Sequence, residues 1–217
     1  MSYLISKFFD ENQLNSIYHH MNTHEWVDGI ESVHLPPKDN PYALKKNLQC
    51  EGKLDVIFNA LDNNSNFLNF TYARESSTPM ITKTKVGGYY RPHFDLDRGH
   101  FSTTIFLNDP NTYDGGELSL MLNSEEIKVK LDPGYGITYE TGTPHCVNEV
   151  VRGERNVIVF WTISRICDMK DLHRYRYYDM MAEKYYDGKC HVSLYEFSRS
   201  LHFHFREKCD KISRKYL

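Results

Sequence analysis

The segment between residues 80 and 164 constrains the fold most, because its apolar runs are short and turn residues separate them. Glycine or proline recurs there at roughly ten-residue intervals, which is the spacing of strands in all-β domains. Tyr113–Leu118 contains the pair Gly115-Gly116, and the apolar runs that follow include Gly134–Tyr139 and Val157–Trp161. This pattern predicts a β-sandwich or jelly roll as the core of the chain.

Helical patterns flank this core on both sides. Asp10 to Gln13 has the form of a capping box and precedes apolar residues at helical spacing. A turn-rich segment at Leu35–Pro41 is polar enough to serve either as a lid or as an ordinary surface loop, and a second helical stretch follows it to about Leu61. After Asp168, few helix-breaking residues occur.

We therefore expect a single domain of three parts. Residues 1–79 would form N-terminal helices and the lid loop, residues 80–164 the β core, and residues 165–217 a helical C-terminal extension. Two helices are predicted in that extension, over about 168–186 and 193–215. Several tyrosines cluster in the first of them, which indicates a packing face or a subunit contact that could make a homodimer; a platform for the substrate is the less favoured alternative.

Three residues within the core have the pattern of a metal site. His93 and Asp95 are two positions apart, so on a strand their side chains would project from the same face. Together with the distant His145 they supply two histidines and one carboxylate, the facial ligand set of non-haem iron enzymes, which leaves coordination positions open. With eleven histidines in 217 residues, a chance His-x-Asp is the alternative for the motif taken alone.

A basic residue downstream completes the pattern. Arg155 lies ten positions after His145, and the turn at Arg152-Gly153-Glu154 would reset the register and the face of the strand. A guanidinium at this place would bind a carboxylate through two parallel hydrogen bonds.

Two longer segments carry a family resemblance. They are VGGYYRPHFD at 86–95 and FLNDPNTYDGGEL at 106–118, and they are followed by His145, Arg155 and the pair Phe160-Trp161. These residues resemble the Fe(II)- and 2-oxoglutarate-dependent dioxygenases of the prolyl 4-hydroxylase superfamily, and most closely the bacterial PKHD-type hydroxylases. The resemblance covers roughly residues 20 to 170. It implies a mainly β fold with flanking helices, built on a double-stranded β-helix (jelly-roll or cupin-like) core.

The same resemblance implies roles for individual residues. His93, Asp95 and His145 would bind Fe(II), and Arg155 would pair with the distal carboxylate of the cosubstrate 2-oxoglutarate. O₂ would be the oxidant, and L-ascorbate (vitamin C) would restore iron that had become oxidised.

Three further positions are implied at the active site. Tyr90 and Trp161 match aromatic residues near the iron. The family often has a 2-oxoglutarate-binding tyrosine nine residues before the first histidine, whereas this chain has Thr84 there. A threonine hydroxyl donates a hydrogen bond over a shorter reach.

Three functions remain open at this stage. The resemblance favours hydroxylation of a prolyl residue in a peptide or protein, with release of succinate and CO₂. A 2-oxoglutarate oxygenase acting on a small molecule or on nucleic acid is the second interpretation, although nucleic-acid demethylases usually have a second arginine where this chain has Trp161. A non-catalytic binding or sensor protein is the third, and the complete set of three ligands argues against it.

Charge and composition indicate which partners and which cellular compartment to expect. The formal net charge of −3 and a pI of about 6.4 are unlike those of a general nucleic-acid binder. The five cysteines form no Cys-x-x-Cys pair, and no secretory signal or membrane-spanning run is visible, so we expect a cytoplasmic protein with reduced thiols and no membrane association.

Overall fold

We describe the fold from a computed structural model, which describes residues 2–32, 45–95 and 98–185. Within these residues the helices are α1 Glu11–Thr23, α2 Asp55–Asn63, α3 Ser65–Thr71 and α4 Met169–Tyr185, with 3₁₀ turns at Gly29–Ser32 and Pro110–Thr112. The first seven strands are β1 Tyr3–Lys7, β2 Val27–Asp28, β3 Leu48–Glu51, β4 Ala73–Ser76, β5 Met80–Lys85, β6 Tyr90–His93 and β7 Phe101–Phe106. The other seven are β8 Asp114–Gly115, β9 Leu118–Leu122, β10 Glu125–Val129, β11 Tyr135–Glu140, β12 His145–Val147, β13 Val150–Arg152 and β14 Glu154–Ser164.

The strands form two main antiparallel sheets. The larger sheet has the order β1-β11-β7-β14-β5-β3-β2, and β4 pairs with the end of β14. The smaller sheet has the order β10-β9-β12-β6, and β8 and β13 form a separate ribbon. Two facing antiparallel sheets with non-sequential neighbours are the predicted double-stranded β-helix, so the fold expectation is confirmed.

The larger sheet carries helices on its outer face. Side chains of β5, β7 and β14 pack there against α1, α2 and α3, in a cluster that contains Ile17, Ile57, Phe67, Ile81, Ile105 and Ile158. Burial of these apolar side chains is the main stabilising contribution of the N-terminal helices. The opposite face of the sheet is thereby free to enclose a cavity.

The inner face of the larger sheet is unusually polar. Ser102 and Thr104 of β7 point inward with Thr82 and Thr84 of β5, and all four line a single cavity. A second apolar cluster fills the space between the two sheets beside this cavity; it contains Phe106, Leu118, Leu120, Val129, Ile137, Tyr139 and Val157. A hydroxyl-rich sheet face next to an apolar core is typical of a buried site for a polar ligand.

The structure of the N-terminal region agrees with the prediction from the sequence in helix α1 and differs from it in the other elements. Helix α1 begins with the predicted capping box, in which Asp10 and Gln13 satisfy each other's backbone N–H groups. Strands β1 to β4 were not predicted, and the second helical stretch was wrong over Leu48–Glu51, which is a strand. These residues are extended because β3 pairs with β5. Two short helices, α2 and α3, come after this strand.

At the other end, α4 confirms the first predicted C-terminal helix. Leu172 and Tyr175 of α4 pack against Phe70 and Phe101. The second predicted helix and the lid segment at 35–40 lie outside the described residues, so the lid and the homodimer stay predictions. No helix in the described part of the chain combines the length and apolar character needed to cross a bilayer.

Candidate active site

The three predicted metal ligands come together where β6 meets β12. His93 and His145 are directly paired residues of these neighbouring strands. The His145 Nε2 lies 3.4 Å from Asp95 Oδ2, and the His93 Nε2 lies 3.7 Å from Asp95 Oδ1. All three ligand atoms lie within 4.8 Å of one another, and no other group of three such residues occurs within residues 2–32, 45–95 and 98–185.

Asp95 differs from the expectation in one respect. Strand β6 ends at His93, so Asp95 lies just beyond the strand rather than in it. Its backbone N–H donates to the Thr141 carbonyl at 3.1 Å, and the Ser102 hydroxyl donates to Asp95 Oδ2 at 2.9 Å. These two bonds orient the carboxylate toward the histidines.

Both histidines present the same ring nitrogen to the centre. Nδ1 of His93 lies 2.8 Å from the Arg91 carbonyl, and Nδ1 of His145 lies 2.9 Å from the Thr143 carbonyl. Since a carbonyl only accepts, each Nδ1 carries the proton and each Nε2 offers its lone pair to a metal.

The charges of the centre also suit a cation. Burial and the neighbouring His145 lower the pKa of His93 to about 4, so the ring is neutral at physiological pH. Burial alone would raise the pKa of Asp95, but contacts with His145 and other neighbours outweigh it and hold the pKa at about 2. The ring nitrogens of His93 and His145 and the ionised Asp95 carboxylate are a donor set that fits Fe(II) and leaves open coordination positions.

Arg155 lies deeper in the cavity, on β14. The turn that precedes it depends on Gly153, which has φ +73°, and a Cβ there would lie 2.3 Å from the Thr112 carbonyl oxygen. The turn therefore requires glycine. His145 belongs to the smaller sheet and Arg155 to the larger one, so the orientation of Arg155 follows from this change of sheet and not from a register shift within one hairpin. Arg155 pairs with Thr84 across β14 and β5 and points to the inner face.

The guanidinium of Arg155 forms no hydrogen bond or ion pair with any of the described residues. The side chain is 2% exposed, its Nε is buried without a hydrogen bond, and its central carbon lies 5.5 Å from the Phe106 ring centre. Burial lowers the pKa of Arg155 to about 10, yet the group remains charged at neutral pH. A buried, unpaired cation is costly to the folded protein, so the site is arranged to receive an anion. The distal carboxylate of 2-oxoglutarate fits this requirement.

Two aromatic residues flank the histidines. The Tyr90 ring stacks on the His93 ring with centroids 3.7 Å apart, and burial raises the pKa of Tyr90 to about 12. Trp161 lines the same cavity, and the Arg98 guanidinium lies 4.9 Å from its ring centre. Flat apolar walls therefore stand beside the open side of the metal centre.

One narrow cavity of about 110 Å³ joins all the predicted residues. It is lined by His93, Asp95, His145, Arg155, Thr84, Tyr90 and Trp161, which are the seven residues expected from the sequence. Among the further lining residues that the sequence did not identify are Lys45, Arg98, Ser102, Thr104 and Tyr139. Alternation along the strands indicates inward-facing positions such as Ser102 and Thr104, but the strand pairing that brings Tyr139 beside them is not visible in the sequence.

Comparison with known families agrees with this geometry. Residues 79–163 match the model of the 2OG-Fe(II) oxygenase superfamily. A PKHD-type hydroxylase of Prochlorococcus marinus (strain NATL2A) is 31% identical over 181 residues, covering 79% of this chain and 82% of the relative. A PKHD-type hydroxylase of Sphingopyxis alaskensis is 33% identical over 147 residues, covering 60% of this chain and 67% of the relative.

Solved structures share the fold. A prolyl-4-hydroxylase from Pseudomonas putida superposes with a TM-score of 0.60 at 18% identity, covering 75% of this chain and 92% of that one. A Trichoplax adhaerens prolyl hydroxylase, solved with a peptide fragment of hypoxia-inducible factor, gives a TM-score of 0.58 at 13% identity, covering 75% and 84%. The family model and the extended sequence similarity agree, and the common fold matches them: the chain belongs to the 2-oxoglutarate- and Fe(II)-dependent oxygenases, with PKHD-type hydroxylases as its relatives.

Proposed function

We propose that this oxygenase hydroxylates a prolyl residue of a peptide or protein, with His93, Asp95 and His145 as its iron ligands. Bound Fe(II), with 2-oxoglutarate and O₂, supplies the oxidising power for C–H hydroxylation with release of succinate and CO₂. Arg155 holds the far carboxylate of the cosubstrate, and Thr84, opposite it, is available for a further hydrogen bond. L-ascorbate is proposed to keep the iron reduced.

The observation that supports a prolyl substrate is the pair of aromatic walls. The rings of Tyr90 and Trp161 line the cavity beside the histidines, and flat, rigid rings suit the faces of a pyrrolidine ring. The Tyr90 hydroxyl keeps its proton at neutral pH, as any phenol does, and it therefore serves as a hydrogen-bond donor beside the substrate.

A small anionic molecule is the second candidate substrate. Lys45 and Arg98 line the cavity near the metal ligands and give it positive charge. Burial and the neighbouring Arg98 lower the pKa of Lys45 to about 8, so most of the Lys45 ammonium remains charged at neutral pH. These two cations favour a substrate that carries a carboxylate or a similar group.

The test measures succinate release by the full chain with Fe(II), 2-oxoglutarate and ascorbate. The substrates are a panel of proline-containing peptides, matched peptides with alanine in place of proline, cell-extract proteins and small carboxylates. We expect proline-dependent succinate release, together with one added oxygen atom on proline by mass spectrometry. Oxygen found only on a free metabolite or a nucleobase would refute the prolyl substrate and leave the oxygenase class intact.

A further inference from the structure

2-Oxoglutarate is expected to contact a second residue of the protein in addition to Arg155. Arg155 is placed for the distal carboxylate, but Thr84 stands where the family often has a tyrosine. We propose that the hydroxyl of Tyr139, on β11, takes over this contact and donates a hydrogen bond to the distal carboxylate beside Arg155. The proposal rests on the assignment of Arg155 as the cosubstrate anchor.

Strand pairing brings Tyr139 into the cavity from the side opposite Thr84. β11 pairs with β7 so that Tyr139 lies directly across from Ser102, the residue that hydrogen-bonds Asp95. The Tyr139 side chain is 2% exposed and lines the same cavity as Arg155. Its ring meets the His145 ring edge-to-face, with centroids 5.3 Å apart.

The Tyr139 hydroxyl interacts electrostatically with both the Asp95 carboxylate and the Arg155 guanidinium, and it hydrogen-bonds the Thr104 side chain. Thr104, which lies beside the hydroxyl, is two residues beyond Ser102 on β7 and two residues before Phe106. The Phe106 ring in turn lies under the Arg155 guanidinium. The Tyr139 hydroxyl therefore lies beside the inward-facing position of β7 between Ser102, which bonds Asp95, and Phe106, which lies under Arg155.

The Tyr139 hydroxyl is a hydrogen-bond donor in its ordinary state, because a phenol is neutral at physiological pH. A neutral phenol and a charged guanidinium together provide donors for both oxygens of a carboxylate. Thr84 lacks the length of a phenol, so its hydroxyl reaches less far from the sheet.

The competing interpretation is that Tyr139 only packs. Its ring belongs to the apolar cluster between the two sheets and supports His145. Removal of the hydroxyl alone separates the two roles, because phenylalanine keeps the ring and its packing. If Tyr139 only packs, the affinities for metal and cosubstrate do not change in Tyr139→Phe.

The experiment measures 2-oxoglutarate binding by calorimetry with the Mn(II)-loaded protein. For Tyr139→Phe we expect a rise in Kd of about 10- to 100-fold, the usual cost of losing a buried hydrogen bond to a charged group. Mn(II) affinity, measured by paramagnetic resonance, should not change. Tyr135→Phe is the matched control, since Tyr135 is on the same strand but is 36% exposed; its Kd should equal that of the wild type.

A second ligand shows which end of the cosubstrate Tyr139 contacts. 2-Oxobutyrate keeps the metal-binding 2-oxo acid group and lacks the distal carboxylate, so Tyr139→Phe and the wild type should bind it equally. Thr84→Ala should weaken 2-oxoglutarate binding less than Tyr139→Phe does. An unchanged Kd in Tyr139→Phe, an equal loss for both ligands, or a larger loss in Thr84→Ala would overturn the proposal. Absence of 2-oxoglutarate binding by the wild type would instead refute the assignment of the cosubstrate site.

Discussion

Replacing Arg155 by methionine should stabilise the cosubstrate-free protein and remove its affinity for 2-oxoglutarate. The guanidinium is buried, and no described residue forms a hydrogen bond or an ion pair with it. Burial lowers the pKa of Arg155 from 12.5 to about 10, and Tyr113, Tyr139 and Glu117 only oppose this. A neutral residue at this position avoids the free-energy cost of burying the charge, so the folded protein should become more stable.

The magnitude follows from the pKa. At about 1.4 kcal/mol for each tenfold change in the protonation equilibrium, the difference between 12.5 and about 10 is about 3 kcal/mol. Because the folded-state pKa of Arg155 is the lower one, this cost is present at every pH below about 10. Methionine keeps an unbranched chain against Phe106, so we expect a net gain of about 1–3 kcal/mol in the free energy of unfolding. Loss of a bidentate carboxylate contact should weaken 2-oxoglutarate binding by roughly 30- to 1,000-fold.

The assay combines denaturant unfolding of the metal-free protein at neutral pH with calorimetry of 2-oxoglutarate on the Mn(II) form. Arg155→Lys keeps the charge without the planar fork, so it should show weakened binding, though less than Met, and no gain in stability. Arg152→Met is the matched control, because Arg152 pairs with Asp114 on the surface and its loss should change stability little. A Met variant that is less stable than the wild type, or that still binds 2-oxoglutarate with the original Kd, would refute the reasoning.

Three more predictions concern the metal centre and its walls. His145→Ala removes one of three ligands and should abolish turnover and Mn(II) binding while circular dichroism stays unchanged; full activity would contradict the assignment. Trp161→Ala should lower the ratio of hydroxylated product to succinate more than it raises the Kd for 2-oxoglutarate, and a proportionate change in both would place Trp161 with the cosubstrate instead. The metal-free protein should lose about 3 kcal/mol of unfolding free energy as the pH falls from 6.5 to about 4, because the unfolded chain takes up a proton that folded His93 resists. Denaturant titrations across this range check it, and an equally steep loss in His93→Gln would assign the effect to other groups.

The features of the fold that are determined by residues close together in the sequence could be predicted. The capping box at Asp10 fixes the start of α1, and strands β5 to β14 lie between Met80 and Ser164, where the turn residues indicate them. Gly153 is predictable in the same way, since the tight turn before Arg155 needs a residue that tolerates positive φ. Each of these features is decided by neighbours within a few positions along the chain.

Elements that depend on distant pairing were missed. β1 has only one buried residue, Ser6, so its sequence shows no clear alternation, and its partner β11 lies more than a hundred residues away. β3 is held between β2 and β5 and has no turn signal that distinguishes it from a helix. Tyr139 was missed for the same reason, because its place in the cavity follows from its pairing with Ser102.

The metal centre combines both kinds of information. The spacing of His93 and Asp95 indicated a common site, but Asp95 lies beyond the end of β6, so strand alternation does not by itself orient its carboxylate. Thr141 and Ser102, on other parts of the chain, hold it in place. The distant His145 arrives through direct pairing of β12 with β6 at His93. A ligand motif therefore identifies which residues can bind a metal, whereas the hydrogen bonds and strand register of the assembled fold determine whether their donor atoms meet.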